Sequence, residues 1–245
     1  MSLVKFLDNL LHSSINFIKH SFYKFHSSHR QSHTHPLPLF LFLCRRSSTM
    51  IRNPAKAALR LRIKSRLEAM TPENRDSQSK AIAAKVLALP EFKAAQRVSV
   101  YLSTDAEVNT VELLKEMFNQ KKEVYVPTYH KNTMEMVKLK DFADYESLPL
   151  TSWKIKQPKW SDNRESALES GGLELVLMPG VAFTESYGRC GHGMGYYDKF
   201  LARLIEKFGR ENVKLIAVAF KEQIVPDDEL PMDATDVRLD NVITA

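Results

Sequence analysis

The stretch that decides the fold runs from Leu173 to Leu201 and reads LELVLMPGVAFTESYGRCGHGMGYYDKFL. Its first six residues are almost all apolar, which is typical of a buried strand. Pro179-Gly180 ends that strand, and four of the chain's eight glycines then fall within residues 188–195. A helical pattern begins at Tyr196. The predicted order is therefore strand, glycine-rich loop and helix.

This order favours the binding of an anion. Glycines let the backbone approach a ligand and adopt positive φ, so successive N–H groups can form a concave nest for phosphate oxygens. The helix that follows adds free N–H groups and the positive end of its dipole. Arg189 supplies a planar guanidinium, and Asp198 could hold Mg²⁺ beside a nucleotide. The spacing leaves open a glycine-rich turn that only packs a helix against a sheet.

The loop matches neither of two common phosphate-binding motifs. A Walker A loop would continue with Gly-Lys-Ser or Gly-Lys-Thr, which is missing here. A dinucleotide fingerprint would space its glycines more widely than residues 191–195 do.

Most of the net charge lies in an N-terminal leader. The chain has 245 residues, 44% hydrophobic and 26% charged, as in globular proteins. Six of the 35 basic residues but one of the 29 acidic residues lie in residues 1–50, so the leader carries five of the six net positive charges. The basic balance therefore gives little support to nucleic-acid binding. Two cysteines, Cys44 and Cys190, suit a reducing compartment rather than a disulfide scaffold.

The composition of the leader predicts that residues 1–50 are an organelle transit peptide. It is basic, serine-rich and poor in acids, and its first 19 residues have an apolar helical face. We expect a mitochondrial matrix location, with another organelle as the alternative. A secretory signal centred on Leu37–Leu43 fits less well because a long polar stretch precedes it, and seven apolar residues are too few to span a bilayer. We expect a disordered leader and one domain over residues 51–245.

That domain alternates helices and strands. The patterns predict helices over 54–70, 72–89 and 110–120, a short helix near 164–169, a helix from 196, and strands over 97–102, 123–127, 134–140, 173–178, 214–220 and 237–243. Such alternation predicts an α/β fold, a single three-layer domain with a mainly parallel sheet flanked by helices. Because ligands bind beyond the carboxyl ends of such strands, we expect the site within 103–107, 179–198 and 221–236.

The glycine-rich stretch also resembles a known family. PGVAF at 179–183, followed by GRCGHGMGYYD at 188–198, is similar to the signature of the 5-formyltetrahydrofolate cyclo-ligases, also called 5,10-methenyltetrahydrofolate synthetases. The similarity extends from about Pro54 to the C-terminus. It implies an ATP- and Mg²⁺-dependent ligase of folate one-carbon metabolism that converts 5-formyltetrahydrofolate into 5,10-methenyltetrahydrofolate, ADP and phosphate. We further expect a polyglutamylated folate substrate, a monomer, no nucleic-acid partner and no membrane span.

The resemblance implies roles for individual residues. ATP binding is implied for Lys56, Arg60, Arg189, Cys190, Gly191, His192, Gly193, Met194, Gly195, Tyr196 and Tyr197. Substrate binding is implied for Arg60, Leu102, Glu107, Trp153, His192, Gly193, Met194, Gly195 and Tyr196, with Glu107 against the pterin. Metal binding is implied for Asp198 and Asp236.

The residues taken alone allow simpler interpretations. Lys56 and Arg60 could form a solvated basic face, Glu107 could be a loop acid, and Trp153 could pack in the core. We interpret Cys190 as a packing residue and His192 as a neighbour of phosphate or substrate rather than a general base. Two other functions stay open, a sugar-phosphate isomerase or CoA-transferase relative and a folate-binding protein without catalysis.

Overall fold

The computed structural model describes residues 53–152 and 154–245 of the chain. The predicted disordered leader and the expected substrate-binding residue Trp153 lie outside these ranges. Within them are α1 (Pro54–Glu68), α2 (Pro72–Ala88), α3 (Pro90–Ala94), α4 (Val111–Asn119), α5 (Phe142–Ser147) and α6 (Tyr196–Phe208). The strands are β1 (Arg97–Val100), β2 (Glu123–His130), β3 (Thr133–Leu139), β4 (Leu175–Met178), β5 (Ala182–Phe183), β6 (Arg189–Cys190), β7 (Lys214–Val218) and β8 (Asn241–Ile243).

Six strands form one sheet in the order β3-β2-β1-β4-β7-β8. Neighbouring strands are parallel throughout, except that β3 runs antiparallel to β2. Strands β5 and β6 form a separate antiparallel hairpin in which Ala182 lies opposite Cys190. The predicted mainly parallel α/β sheet is confirmed.

Helices cover both faces of the sheet. Leu175 and Leu177 of β4 pack in a core with α2, α3 and α4, whereas Val176 and Met178 pack in a second core with α6. Because successive side chains of a strand point to opposite faces, this division places one helical layer on each side. Both faces of the central strands are therefore buried, as expected for a parallel sheet.

Helix α1 packs against the β5–β6 hairpin. Its Leu59 and Ile63 share a third buried cluster with residues of the hairpin segment, among them Val181, Ala182 and Cys190. The Asn53 side chain accepts hydrogen bonds from the backbone N–H groups of Ala55 at 3.1 Å and Lys56 at 3.4 Å, and so caps the start of α1. This docking fixes the first turns of α1 beside the glycine-rich loop.

Several segments differ from the sequence-based expectation. The helix predicted near 164–169 is wrong, because Ser166 pairs with Val137 of β3 and turns follow it. Strand β2 continues to His130, since it pairs with β3 over seven residue pairs. The last strand begins at Asn241 rather than at 237. Helix α5 and the β5–β6 hairpin were not predicted. No helix in the described part of the chain is both long and apolar enough to cross a bilayer.

Candidate active site

A cavity of about 1090 Å³ lies beyond the carboxyl ends of β1, β2 and β4. Its wall combines the segment after β1, the end of β2, the glycine-rich loop with the first turn of α6, the start of α1, and the segment before β8. Each of the three segments expected from the topology contributes to this wall. The cavity is the candidate active site.

Most residues with an expected role line the cavity. They are Lys56, Arg60, Leu102, Glu107, Arg189, Gly191, His192, Gly193, Met194, Gly195, Tyr196, Tyr197, Asp198 and Asp236. Cys190 lies behind the wall, where its side chain is buried in the cluster of α1 and the hairpin. Burial raises the pKa of the Cys190 thiol, so this side chain is poorly suited to nucleophilic chemistry.

The glycine-rich loop needs its glycines for conformation and for space. Gly193 and Gly195 have φ values of +99° and +65°, which side-chain-bearing residues rarely adopt. A Cβ atom at Gly191 would lie 2.9 Å from Arg189 Nη1. Gly195 is the N-cap of α6 and offers no side-chain acceptor to the first-turn N–H groups. Those N–H groups and the positive end of the helix dipole make this helix end a place for an anion.

Lys56 is a buried cation with two carboxylate partners. Its side chain is 8% exposed, and its Nζ atom donates to Asp233 Oδ2 at 2.7 Å and to Asp236 Oδ2. Burial acts to lower the pKa of Lys56, but the two carboxylates outweigh it, so that the pKa lies above its ordinary value. Lys56 therefore carries a positive charge at neutral pH.

Two arginines flank the same loop. Arg189 is 5% exposed in its side chain, and its Nη2 atom donates to Asp198 Oδ1 at 2.7 Å. The Arg189 guanidinium carbon lies 5.6 Å from the ring centre of Tyr197. Arg60 Nε donates to the carbonyl oxygen of Gly191 at 2.7 Å, which ties α1 to the loop. Lys56 and these two arginines thus place three cationic side chains in the wall that contains the uncapped start of α6.

Two buried polar atoms in this wall have no partner among the described residues. They are Arg189 Nε and Tyr197 Oη. Burial raises the pKa of Tyr197 well above its ordinary value, so the hydroxyl keeps its proton and can donate. A buried donor without an acceptor costs about 1–3 kcal/mol, and native proteins leave few of them. Arg189 and Tyr197 therefore each keep one unused hydrogen-bond donor in this wall.

The Glu107 carboxylate lies in another part of the wall. Its Oε2 atom accepts hydrogen bonds from Thr104 N at 2.9 Å and Thr104 Oγ1 at 3.0 Å. Its Oε1 atom lies 3.8 Å from His192 Nε2, which is too long for a hydrogen bond and leaves that oxygen as an acceptor. Burial acts to raise the pKa of Glu107, but His192 and Thr104 outweigh it, so the pKa lies below its ordinary value and the carboxyl is ionised.

Aromatic rings line the cavity as well. Tyr129 at the end of β2 meets Tyr196 edge to face, with ring centres 5.0 Å apart. Tyr129 was not among the expected site residues because the predicted strand ended at residue 127. A longer β2 would have placed Tyr129 at the same sheet edge as the other segments. Aromatic walls suit a flat ring, and the Glu107 carboxylate suits one with N–H donors.

A sequence model of the 5-formyltetrahydrofolate cyclo-ligase family matches residues 52–245. The chain belongs to this family. The cyclo-ligase fold, the cyclo-ligase reaction and the use of ATP are therefore confirmed predictions. Membership does not support the alternative of a sugar-phosphate isomerase or CoA-transferase relative.

Individual cyclo-ligases are similar over most of the chain. The 5-formyltetrahydrofolate cyclo-ligase of Mus musculus is 40% identical over 195 residues, which cover 78% of this chain and 94% of the mouse protein. A relative from Arabidopsis thaliana named mitochondrial 5-formyltetrahydrofolate cyclo-ligase is 30% identical over 204 residues, covering 77% of this chain and 73% of that protein.

Solved structures agree with the fold. The 5,10-methenyltetrahydrofolate synthetase of Aquifex aeolicus is 26% identical and superposes with a TM-score of 0.59, covering 77% of this chain and 88% of that one. The Mycoplasma pneumoniae 5,10-methenyltetrahydrofolate synthetase is 20% identical with a TM-score of 0.58, covering 77% and 98% of the two chains, and supports the fold alone.

Proposed function

We propose that this cavity binds ATP with Mg²⁺ beside 5-formyltetrahydrofolate and closes the folate ring there. The observation that carries the proposal is the pair of buried donors without a partner among the described residues, Arg189 Nε and Tyr197 Oη, beside the first-turn N–H groups of α6, which no side chain caps. Lys56, Arg60 and Arg189 lie in the same wall and are the cations that would pair with the phosphates of a triphosphate.

The reaction needs no covalent bond to the protein. The formyl oxygen attacks the γ-phosphorus and ADP leaves, which turns a poor leaving oxygen into a good one. The folate N10 then attacks the formyl carbon and gives up its proton, and phosphate departs with the former formyl oxygen. The protein's work is to align the reacting atoms and to neutralise charge on the phosphates, as in other phosphoryl transfers. Arg189, Arg60, Lys56 and the loop N–H groups are the proposed groups for this work.

Two carboxylates of the wall fit a magnesium ion bound with the nucleotide. Asp198 offers Oδ1 to Arg189, and Asp236 offers Oδ2 to Lys56, so one oxygen of each is oriented by a cation and the other is left for a metal. The described residues contain no group of three or more His, Cys, Asp or Glu side chains that could hold a metal. Mg²⁺ commonly binds through one or two carboxylates, water and substrate phosphates. When bound, it would supply charge neutralisation at the phosphates.

The folate is proposed to lie against Glu107 and the aromatic wall. Glu107 Oε1 would accept hydrogen bonds from the pterin, and Leu102, Tyr196 and Tyr129 would contact its rings. We also propose contacts from His192, Met194, Gly193, Gly195 and Arg60, which share the wall, and from Trp153. Lys156 and Lys199 line the same cavity and would attract the carboxylates of a polyglutamate tail.

We infer that residues 1–50 target the chain to the mitochondrial matrix and that residues 51–245 form the catalytic domain. The leader's composition and the name of the Arabidopsis relative support this inference. Import into isolated mitochondria should shorten the full chain, and a chain that starts at Met50 should not be imported; import of both would contradict it.

A monomer is proposed because the exposed large apolar side chains of the described residues lie in five separate segments, at Leu61, Leu150, Trp160, Tyr187 and Met194.

Arg189→Ala should weaken the use of ATP more than the binding of folate. The change removes a charged donor beside the glycine-rich loop, and each such contact contributes about 1.5–3 kcal/mol. We expect a higher KM for ATP or a lower kcat, with the calorimetric affinity for 5-formyltetrahydrofolate close to that of the wild type. Arg203→Ala is the matched control, because this arginine of α6 pairs with Glu135 instead of lining the cavity. Unchanged KM and kcat in Arg189→Ala would show that Arg189 does not contact the nucleotide.

Glu107→Gln should weaken folate binding. The N–H and hydroxyl of Thr104 require an acceptor, so the new carbonyl oxygen would take the place of Oε2 and the amide NH₂ would face the pterin donors. A mismatched buried pair costs about 1–3 kcal/mol, or roughly one to two powers of ten in affinity. Calorimetry should show this loss for 5-formyltetrahydrofolate, while ATP affinity barely changes. Glu116→Gln on α4 is the control, and equal folate affinity in the two folded variants would show that Glu107 is not in the pterin site.

A further inference from the structure

Asp233 connects three parts of the candidate active site. Its Oδ2 atom accepts a hydrogen bond from Lys56 Nζ at 2.7 Å, and its Oδ1 atom accepts one from Asn53 Nδ2 at 3.3 Å. Its backbone N–H donates to Asp236 Oδ2 at 2.7 Å. One residue thus contacts the N-cap of α1, a proposed phosphate-binding cation and a proposed metal carboxylate. The sequence shows Asp233 only as one acid in an acidic run.

The contacts of Asp236 show why a second carboxylate matters. Asp236 Oδ2 accepts from both Lys56 Nζ and Asp233 N. A metal bound to the Asp236 carboxylate would weaken the attraction between that carboxylate and the Lys56 ammonium. Burying the Lys56 charge is energetically costly unless another carboxylate compensates it. Asp233 can be that partner, because it carries its own charge, is half exposed and has no role as a metal ligand in the proposed site.

We propose that Asp233 is a positioning residue for the nucleotide. The Asp233 carboxylate holds the Lys56 ammonium in the phosphate site while Asp236 binds the metal. The Asp233 N–H donates to Asp236 Oδ2 and so orients that carboxylate with Oδ1 left for the metal. Without the Asp233 carboxylate, Lys56 would have Asp236 as its remaining anionic partner and would compete with the metal for it. This inference rests on the proposed placement of the nucleotide and the metal.

Calorimetry on the full chain tests the proposal with four variants. Asp233→Ala should raise the Kd for ATP measured with Mg²⁺ by about tenfold, the size of one lost hydrogen bond to a charged group. The Kd for 5-formyltetrahydrofolate should stay within twofold of the wild type. Asp233→Asn keeps an acceptor but not the charge, so its Kd for ATP should fall between those of the wild type and Asp233→Ala. Asp228→Ala is the matched control, since Asp228 is an exposed acid of the same segment outside the cavity wall. Asp236→Asn serves as the positive control.

The results distinguish a positioning role for Asp233 from a purely structural one. A loss of affinity for both ligands together with a lower Tm would show that Asp233 only stabilises the fold, and would overturn the proposal. Wild-type ATP affinity in Asp233→Ala, with weakened binding in Asp236→Asn, would also overturn it while leaving the proposed function intact. Wild-type ATP affinity in both Asp236→Asn and Arg189→Ala would instead contradict the placement of the nucleotide itself.

Discussion

The structure of the site depends on the burial of two cations, Lys56 and Arg189, beside the uncapped first turn of α6. Positive charge of this kind is costly away from water unless carboxylates compensate it. Asp233 and Asp236 compensate Lys56, and Asp198 compensates Arg189. Asp198 and Asp236 each use one oxygen in this pairing, which leaves the other oxygen for a ligand. In the proposed function, the residues that compensate the buried charges therefore also bind the nucleotide and the metal.

The fold brings these groups together from distant parts of the sequence. Lys56 and Asp233 are 177 positions apart, and Arg60 reaches the Gly191 carbonyl across 131 positions. The packing of α1 on the β5–β6 hairpin fixes one side of the site. The parallel strands fix the other side, because their carboxyl ends share one edge of the sheet. A helix outside the sheet thus supplies Lys56 and Arg60, and the sheet edge supplies most of the remaining wall.

Local chemistry made much of the fold predictable. Asn53 and Thr71 cap the first two helices as their types and positions predict, and the apolar run before Pro179 is a buried strand. The β5–β6 hairpin was not predicted because strands of two residues are too short to show an alternation of apolar and polar residues. The turns near Ser166 depend on a pairing with Val137 that no local pattern shows. The motif identified the glycine-rich loop, but Tyr129 and Asp233 became visible only through contacts between distant segments.

The proposed chemistry requires that one cavity hold ATP and folate together and couple their reactions. A single assay of the purified chain can follow the absorbance of 5,10-methenyltetrahydrofolate and the release of ADP at the same time. We expect both products to form at equal rates, neither to form when 5-formyltetrahydrofolate or ATP is left out, and a chelator of Mg²⁺ to stop both. Binding of the folate without formation of either product, or release of ADP that does not depend on the folate, would contradict this coupling.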